Sequence, residues 1–397
     1  MPFIEQLLNG ESVEWKTLGE VAEIKRGKVI SKVFMEENKG VYPVYSSQTA
    51  NNGEIGKIKT YDFNQEAITW TTDGANAGTV FYRKGKFSIT NVCGLIKISN
   101  DNLLSYKFLY YWLSVTTKEY VNTGMGNPKL MSNQVKRILI PLPPLSVQHR
   151  IVEILDKFTE LEAELEAELE AELDCRKRQY EYYRNQLLSF DMLNRGQRLN
   201  NVKIMTLGDL GTFVRGSGLQ KKEFTPTGVG CIHYGQIYTY YGTYAKKTKS
   251  FVSQEFALKA RKAKHGDLII ATTSENDEDV CKAVAWLGDE DIAVSSDACF
   301  YTHTMNPKYI AYYFQTELFQ SQKRKFITGT KVRRVNAKDL AKIQIPLPPL
   351  SVQREIVEIL DKFDTLCNSI SEGLPKEIEL RRKQYEYYRN QLLTFAQ

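Results

Sequence analysis

The sequence predicts an α+β protein in which two globular α/β domains are separated by two long antiparallel helices and related by a pseudo-two-fold internal repeat. Three observations support this prediction. Two segments of the 397-residue chain occur twice, and these segments have the three- and four-residue spacing of amphipathic helices. The regions between them alternate β-rich runs with loops of Gly, Asn and Asp, and each adds one helix-like stretch late. We expect the helices to form a coiled-coil-like pair.

The internal repeat is explicit. IPLPPLSVQHRIVEILDKF at 140–158 recurs as IPLPPLSVQREIVEILDKF at 345–363, and RKRQYEYYRNQLLSF at 176–190 recurs as RRKQYEYYRNQLLTF at 381–395. Both pairs are offset by 205 residues, and a weaker echo (TLGEVAEIKRG, TLGDLGTFVRG) opens each half. The regions between share almost no further sequence. A duplication in which the helices stay nearly identical while the domains diverge indicates one helical scaffold that presents two domains of different specificity.

The repeat divides the chain into four regions. They are a first domain (1–141), a central helix region (142–198), a second domain (199–346) and a C-terminal helix region (347–397). After each PLPPL, where Pro disfavours helix, Ser146 and Ser351 are the predicted N-caps. The first helix is predicted to run for ~45 residues, roughly 65 Å, to about Phe190. In the second copy, Gly373 and Pro375 predict a kink or a short break, with Pro375 near the restart.

The first helix contains LEAELEAELEAEL at 161–173, three copies of a four-residue word. Leu, Glu and Ala favour helix, and a four-residue step moves each successive leucine by ~40° around the axis. With no Lys or Arg from Thr159 to Asp174, the segment is a poor ligand for phosphate. We therefore interpret it as a strut that is buried on its leucine side. The leucines concerned are Leu161, Leu165, Leu169 and Leu173.

Composition limits the environment and the class of function. The formal net charge of +6 permits nucleic-acid binding without requiring it. No uninterrupted run of ~18 apolar residues predicts a membrane span. The six cysteines are scattered without a C-x-x-C pair, which favours reduced thiols in the cytoplasm over disulfides or a zinc site. The four histidines have no metal-binding spacing, so we expect no metal.

Two motifs suggest catalysis, and neither is convincing. NPKY at 306–309 resembles the N-P-P-Y of adenine methyltransferases, but Lys308 replaces the second Pro and no F-x-G-x-G loop for the cofactor is present. A helix that begins at Asn306-Pro307 is the better interpretation. TTDGANAG at 71–78 is rich in Gly but lacks the G-K-[ST] of a phosphate-binding loop. A plain turn, or a loop placed against DNA, remains open, and we expect no catalytic residue and no enzyme.

Basic and polar clusters occur in both domains and are absent from the acidic helix. Arg and Lys neutralise phosphates, whereas Asn, Gln and Ser can hydrogen-bond to base edges. Each cluster alone is equally compatible with a solvated loop, but their joint occurrence favours DNA binding. The candidates are Arg26, Lys28, Ser47, Gln48, Asn51, Asp73 and Asn76 in the first domain, and Arg215, Ser217, Lys221, Lys222, Gln236, Thr273, Arg333 and Arg334 in the second.

Aromatic residues recur near the ends of both helices. Tyr180 and Tyr183, with their counterparts Tyr385 and Tyr388, are candidates for an interface with a partner protein. Packing between the two helices explains them equally well, and both roles are compatible.

The order of variable domain, IPLPPLSVQ helix, variable domain and near-identical helix resembles the specificity subunit of type I restriction–modification enzymes. The tandem four-residue words resemble the subgroup in which such repeats lie between two target recognition domains, here 1–141 and 199–346. The resemblance implies a non-catalytic subunit that reads a bipartite, asymmetric target on double-stranded DNA. It further implies two methyltransferase subunits that bind S-adenosylmethionine and methylate adenines, and restriction subunits that cleave unmodified DNA.

The resemblance also suggests a role for the repeated words. Each word adds ~6 Å of helix, against ~3.4 Å of duplex per base pair. The strut would therefore set the length of the non-specific spacer between the two half-sites. Two alternatives remain: a free-standing adenine methyltransferase, which the altered NPKY opposes, and a free-standing two-headed DNA-binding regulator.

Overall fold

The computed structural model describes residues 3–124, 126–195, 202–369 and 371–395. The boundary predicted at 198/199 lies outside the described residues. The chain divides into two compact units: the first comprises Met1–Ala167 with Glu379–Gln397, and the second comprises Glu168–Ile378. Both helix regions thus contribute residues to both units. No helix in the described ranges is long and apolar enough to cross a membrane.

The first unit is built on a six-stranded sheet of order β2-β7-β5-β6-β3-β4, with a separate antiparallel pair of β1 and β8. The β-rich runs of the sequence fall in β5, β6 and β7. Its strands are β1 (Glu14–Thr17), β2 (Ala22–Arg26), β3 (Lys39–Tyr45), β4 (Glu54–Ile58), β5 (Phe63–Thr71), β6 (Val80–Ile89), β7 (Cys93–Ile98) and β8 (Leu139–Leu142). Its helices are α1 (Phe3–Leu8), α2 (Leu18–Val21), α3 (Lys32–Glu37), α4 (Tyr106–Thr116), α5 (Ser132–Val135) and the start of α6 (Leu145–Leu187), with 3₁₀ turns at Ala50–Gly53 and Thr117–Tyr120.

The core of the first unit lies where the sheet meets the helices. Trp70 of the sheet and Phe108 of α4 are fully buried together with Leu155 of α6. Leu392 and Leu393, near the C-terminus, belong to the same cluster. The base of this domain is therefore formed by its own helix α4, the helix that follows it, and the end of the C-terminal helix.

The second unit contains two five-stranded sheets, β10-β20-β16-β18-β13 and β11-β14-β12-β19-β15, and two short pairs, β17-β21 and β9-β22. Its strands are β9 (Lys203–Thr206), β10 (Gly211–Arg215), β11 (Phe224–Thr225), β12 (Val229–Ile232), β13 (Tyr244–Ala245), β14 (Ser250–Val252), β15 (Lys262–Ala263), β16 (Leu268–Ala271), β17 (Thr273–Ser274), β18 (Ala283–Trp286), β19 (Ile292–Val294), β20 (Ala298–His303), β21 (Arg333–Arg334) and β22 (Gln344–Leu347). Its helices are α7 (Phe190–Arg195), α8 (Leu207–Leu210), α9 (Tyr234–Thr239), α10 (Gln254–Lys259), α11 (Pro307–Tyr313), α12 (Glu317–Arg324) and α13 (Ala337–Leu340), with a 3₁₀ turn at Lys221–Glu223.

The NPKY segment is the start of α11, as predicted. The side-chain oxygen of Asn306 accepts hydrogen bonds from the backbone N–H groups of Lys308 (3.0 Å) and Tyr309 (3.2 Å). Pro307 occupies the first helical position, where its missing N–H costs nothing. This Asn is therefore a helix cap, and the mixed sheets and helices of both units confirm the α+β prediction.

The two repeated segments form helices, but their predicted N-caps are wrong. Helix α6 begins at Leu145 and continues unbroken for 43 residues. Its copy α14 (Leu350–Asn368) has Pro349 as its N-cap, so the serines Ser146 and Ser351 already lie inside the first turn. The reason is that Pro144 supplies a backbone acceptor, which receives the N–H of Val147 at 2.9 Å, and no side-chain cap is needed.

The second helix region is broken, as Gly373 and Pro375 predict. Helix α14 ends at Asn368, and α15 (Gly373–Leu392) begins after the break. Gly373 has a φ of +79°, and a Cβ atom there would lie 2.6 Å from the carbonyl oxygen of Thr365. Only glycine accommodates this close return. Pro375 lies in the first turn of α15, where no hydrogen bond to its nitrogen is required.

Contacts within each unit show that the two helix regions run antiparallel. In the first unit, Thr159 of α6 lies 2.9 Å from the Tyr385 hydroxyl, and Glu166, seven residues later, forms an ion pair with Arg382, three residues earlier. In the second unit, Tyr180 of α6 stacks on Phe363 of α14 at a ring-centroid distance of 6.2 Å. Side chains from α6 therefore contact α15 in one unit and α14 in the other.

The leucine words are helical, but the expectation of a buried leucine side is wrong for the first leucine. Leu161 is 51% exposed, whereas Leu165 and Leu169 are half-buried and Leu173 packs against the core of the second unit. The ~40° drift per word accounts for this change along the stripe. Glu166, in the second word, forms the ion pair with Arg382 of α15.

Candidate nucleic-acid interface

Four loops of the first unit contact one another. The Arg26 guanidinium, at the end of β2, donates to the Asn91 carbonyl (2.5 Å) and lies 3.4 Å from the Thr72 hydroxyl. Asn76 lies 3.4 Å from the Thr49 hydroxyl. These contacts join the loops 46–53, 72–79 and 90–92, and an isolated bridge between Lys28 and Thr90 adds the loop 27–31. We call them, with the later loop 122–124 and 126–130, the first loop surface.

The first loop surface borders a cleft of about 860 Å³. Its lining includes the predicted residues Gln48 and Asn51, together with Lys32, Lys57 and Asn91. Amide and ammonium groups of this kind can donate hydrogen bonds both to base edges and to phosphate oxygens. Ser47, also predicted, is half-buried in the same loop.

The loop 46–53 is held from below by a buried cation. Arg83 on β6 is only 3% exposed. Its Nη2 donates to the Asn52 carbonyl (2.7 Å), its Nε donates to the Thr69 hydroxyl (3.1 Å), and its guanidinium lies 3.5 Å from the centre of the Tyr45 ring. Burial lowers the pKa of Arg83.

This support holds an unusual loop conformation. Asn51 and Asn52 both have left-handed backbone angles, with φ of 49° and 54°. Sequence reasoning missed Arg83 because the run FYRKGK contains three cations in four residues and nothing marks which one is buried.

A later loop completes the first loop surface. Asp73 pairs with Lys129 through an isolated backbone bridge, and their side chains approach to 3.8 Å. The N–H of Asn122 donates to the Lys129 carbonyl at 2.8 Å, which closes the loop on itself. Lys129 and Asn122 were not predicted, although NTGMGNPK has the same Gly and Asn content that marked the other loops. The predicted Lys28 forms an ion pair with Asp62 at 2.5 Å.

The second unit has a corresponding arrangement. Thr273 and Ser274, after the buried strand β16, pair antiparallel with Arg334 and Arg333. The Arg333 guanidinium also lies 2.8 Å from the Asp277 carboxylate. The structure thus brings Thr273, Arg333 and Arg334 together, in the same way that it joins Asp73 to Lys129. We call the loops 215–217, 272–280, 295–297 and 328–334, with residue 261, the second loop surface.

Arg215 and Ser217 lie in the second loop surface beside a cation that was not predicted. The Arg215 guanidinium donates to the Ser296 carbonyl at 2.9 Å. Arg261 donates from its guanidinium to the Arg215 carbonyl and from its backbone to the Ser217 hydroxyl, both at 2.8 Å. Contacts within the protein therefore order the side chains of Arg215, Ser217 and Arg261.

Three predicted residues of the second domain lie outside the second loop surface, and a fourth lies within it but is buried. Lys221 and Lys222 are exposed in the 3₁₀ turn that leads into β11, in the other five-stranded sheet. Gln236 caps its own helix: its side chain accepts from the backbone N–H of His233 (3.0 Å) and donates to the Ser250 hydroxyl (2.7 Å). Thr273 is 8% exposed, so its side chain is less available than that of neighbouring Arg334.

The four predicted interface tyrosines all make contacts within their own unit. Tyr180 is 4% exposed, and burial raises the pKa of its hydroxyl. Tyr385 hydrogen-bonds to Thr159, whereas Tyr183 and Tyr388 remain 44% and 45% exposed. Helix packing is therefore established for these side chains, and a partner interface stays a prediction. Groups of His, Cys, Asp and Glu suited to a metal ion do not occur among the residues described.

The doubled architecture with two loop surfaces belongs to a known class of DNA-specificity proteins. Residues 11–174 and 200–380 match the family model of the type I restriction modification DNA specificity domain. The chain belongs to this family. It is a DNA-recognition subunit of a type I restriction–modification enzyme and, like its relatives, is non-catalytic. The resemblance stated from the IPLPPLSVQ repeat is confirmed for the family, and the subgroup with tandem words stays a prediction.

A relative of known class is similar to this chain over its whole length. The specificity subunit of the type I restriction enzyme EcoR124I/EcoR124II from Escherichia coli is 31% identical, over 100% of this chain and 97% of that protein. Two solved structures share the fold. A chain from the type I R-M system, solved to explain its complex assembly and conformational transition, covers 96% of this chain and 98% of its own length (TM-score 0.68, 14% identity). The HsdS subunit from Thermoanaerobacter tengcongensis covers 97% and 96% (TM-score 0.55, 16% identity).

Proposed function

We propose that the chain reads a bipartite, asymmetric DNA target, with one half-site contacted by each loop surface. One observation carries this proposal. Two domains with almost no common sequence build the same arrangement, in which the loop after a buried strand is paired with a late loop that contains cations. Asp73 with Lys129 and Thr273 with Arg334 are the two instances. Different side chains on the same arrangement are what two different half-sites require.

The catalytic steps are assigned to partner subunits. Two methyltransferase subunits would bind S-adenosylmethionine, extrude the target adenine of each half-site and methylate it, and restriction subunits would cleave unmodified DNA. The absence of an F-x-G-x-G loop from the sequence supports this division of labour. Scattered cysteines support a cytoplasmic location. The exposed faces of Tyr183 and Tyr388 are the proposed contacts for a partner.

The test is the pattern of methylation in the host. We expect N6-methyladenine in both halves of one bipartite motif, and we expect deletion of this gene to remove it. Exchange of residues 199–346 for those of a relative should change one half of the motif and leave the other unchanged. Methylation that persists after deletion would contradict the proposal and favour the free-standing regulator.

We further propose that the leucine words set the spacer. Helix α6 is unbroken through all of them, so an inserted word adds ~6 Å to one continuous element. Insertion of one LEAE word should lengthen the preferred spacer by one or two base pairs, since one base pair rises ~3.4 Å. Ala167→Gln changes the composition of the words but not their length, so this control should keep the original spacer. An unchanged spacer after insertion would disprove this role.

A further inference from the structure

A buried glutamine ties the first domain to the helix that follows it. Gln148, in the first turn of α6, is fully buried. Its Nε2 donates to the Leu103 carbonyl (2.9 Å) and the Pro143 carbonyl (2.8 Å), and its Oε1 accepts from the Ser105 N–H (2.9 Å). One side chain therefore connects α6, the PLPPL segment at 141–145 and the N-cap of α4 by three hydrogen bonds.

Two turns further along α6, an aspartate makes a second connection. The Asp156 carboxylate forms an ion pair with Lys107 and accepts a hydrogen bond from the Tyr111 hydroxyl at 2.8 Å. Lys107 and Tyr111 are four residues apart on α4 and thus lie on the same face. Burial raises the pKa of Tyr111, so its hydroxyl remains protonated and able to donate.

The second unit repeats both connections. Gln353 donates to the Pro348 carbonyl (2.8 Å) and accepts from the N–H of Asn306, the N-cap of α11 (2.9 Å). The Asp361 carboxylate pairs with Lys308 at 2.6 Å and accepts from the Tyr312 hydroxyl at 2.7 Å. We call these groups the base clamps. They are Lys107, Tyr111, Gln148 and Asp156 in the first unit, and Lys308, Tyr312, Gln353 and Asp361 in the second.

The domain side of each clamp persists where the rest of the domain has diverged. YKFLYYW at 106–112 and PKYIAYY at 307–313 are identical only at the clamp Lys and Tyr. Burial of apolar surface alone would hold a domain on a helix, but it is non-directional. Hydrogen bonds weaken steeply when their angle changes, and bonds to charged groups are the stronger ones. Persistence of the directional contacts points to a requirement for a defined angle.

We propose that the base clamps are positioning elements that fix the angle of each recognition domain on its helix, and thereby determine how strictly spacer length is read. This inference rests on the proposed function, because it concerns the distance between half-sites. A tilt of one domain that moves its loop surface by ~3.4 Å along the duplex is equivalent to one base pair of spacer. A loosened clamp should therefore admit spacers that the intact protein rejects, without altering which bases are read.

The test measures spacer tolerance separately from base reading. Tyr111→Phe and Asp156→Asn are made in the full chain and assembled with its methyltransferase subunits, and methylation is measured on targets whose spacers are one base pair shorter or longer. The preference for the native spacer should fall about tenfold, the factor expected for one hydrogen bond to a charged group. Discrimination against substituted half-site bases should stay unchanged. Asp156→Glu, which keeps the carboxylate, should restore part of the spacer preference.

The matched control is Glu153→Gln. It removes the same charge from the same helix, but Glu153 is 68% exposed and pairs with Arg150, three residues earlier on α6. It should leave the spacer profile unchanged. Folded Tyr111→Phe and Asp156→Asn variants with an unchanged spacer preference would overturn the inference, and so would an equal loss of spacer and base discrimination. Insertion of a LEAE word does not alter a clamp, so an unchanged spacer after that insertion is a separate result.

Discussion

The two recognition domains pack on their helices in equivalent ways. They differ in the sheets and loops that lie farther from those helices. At the base, β1 pairs with β8 as β9 pairs with β22, and in both cases an aromatic side chain donates to the last strand: Trp112 to the Leu139 carbonyl (2.8 Å) and Tyr313 to the Gln344 carbonyl (2.5 Å). Above the base, one domain has a single six-stranded sheet and the other has two five-stranded sheets. Divergence is concentrated away from the helices because the base must match a repeated helix surface.

The two domains also differ in the buried cation that supports a loop of each loop surface. Arg83 lies beneath loop 46–53 in the first domain. In the second, the fully buried Lys323 of α12 donates to the carbonyl groups of Glu278 (3.0 Å) and Val280 (2.9 Å). Lys323 binds two backbone carbonyls of its loop, and Arg83 binds one backbone carbonyl of its loop together with the Thr69 hydroxyl. Loops that must vary in sequence are thus held by their backbone, which every sequence retains.

The largest expected effect comes from removal of a supporting cation. Arg83→Met leaves the Asn52 carbonyl and the Thr69 hydroxyl without a donor, which should lower the free energy of unfolding of the first unit by about 2–3 kcal/mol. Binding to DNA with substitutions in one half-site at a time should show that discrimination is lost at the first half-site only. Lys84→Met removes the same charge from an exposed position of the same strand and should behave as wild type.

The reciprocal change sharpens the comparison. Lys323→Met should remove discrimination at the second half-site and preserve it at the first, because the carbonyl groups of Glu278 and Val280 then lose their donor. The same titration of singly substituted targets measures it. Loss at both half-sites from either substitution would show that the two domains do not read independently.

A second, smaller difference should appear with pH. Burial lowers the pKa of His303, in the second unit, to about 4. As the pH falls, the unfolded chain, with a histidine pKa near 6.5, binds the proton before the folded chain does. The contribution of neutral His303 to the free energy of unfolding is therefore complete above about pH 6.5 and is lost as the pH falls toward 4. At about pH 5 the loss is about 2 kcal/mol. Urea unfolding at about pH 7.5 and about pH 5 should show it in wild type and not in His303→Phe. An equal loss in His303→Phe would refute this assignment.

The smallest effect concerns single phosphate contacts. Lys129→Ala and Arg334→Ala should each lower the slope of log affinity against log salt by about one, with little change in base preference. Both side chains are exposed in the paired loops. Lys157→Ala, on α6, should leave the slope unchanged. A change in preference at one base pair would instead assign Lys129 or Arg334 to base reading.

Much of this architecture could be predicted from local sequence signals. The doubled IPLPPLSVQ segment predicted the helices, Gly373 and Pro375 predicted the break, and Asn306-Pro307 predicted the start of α11. The serine caps and the buried Leu161 were wrong because a neighbouring Pro carbonyl and the packing of the opposite helix decided those positions. Arg83 and Arg261 were missed because their roles depend on contacts with residues distant in the chain.

The sequence by itself determined the duplication, the long helices and the family, because periodicity and proline placement act over a few residues. Only the tertiary structure decided which cation is buried, which loops are paired, and that Gln148 and Asp156 hold a domain at its base. Burial and hydrogen-bond direction depend on residues that are distant in the sequence and close in space. Two domains that share almost no sequence therefore make the same clamp contacts with their helices.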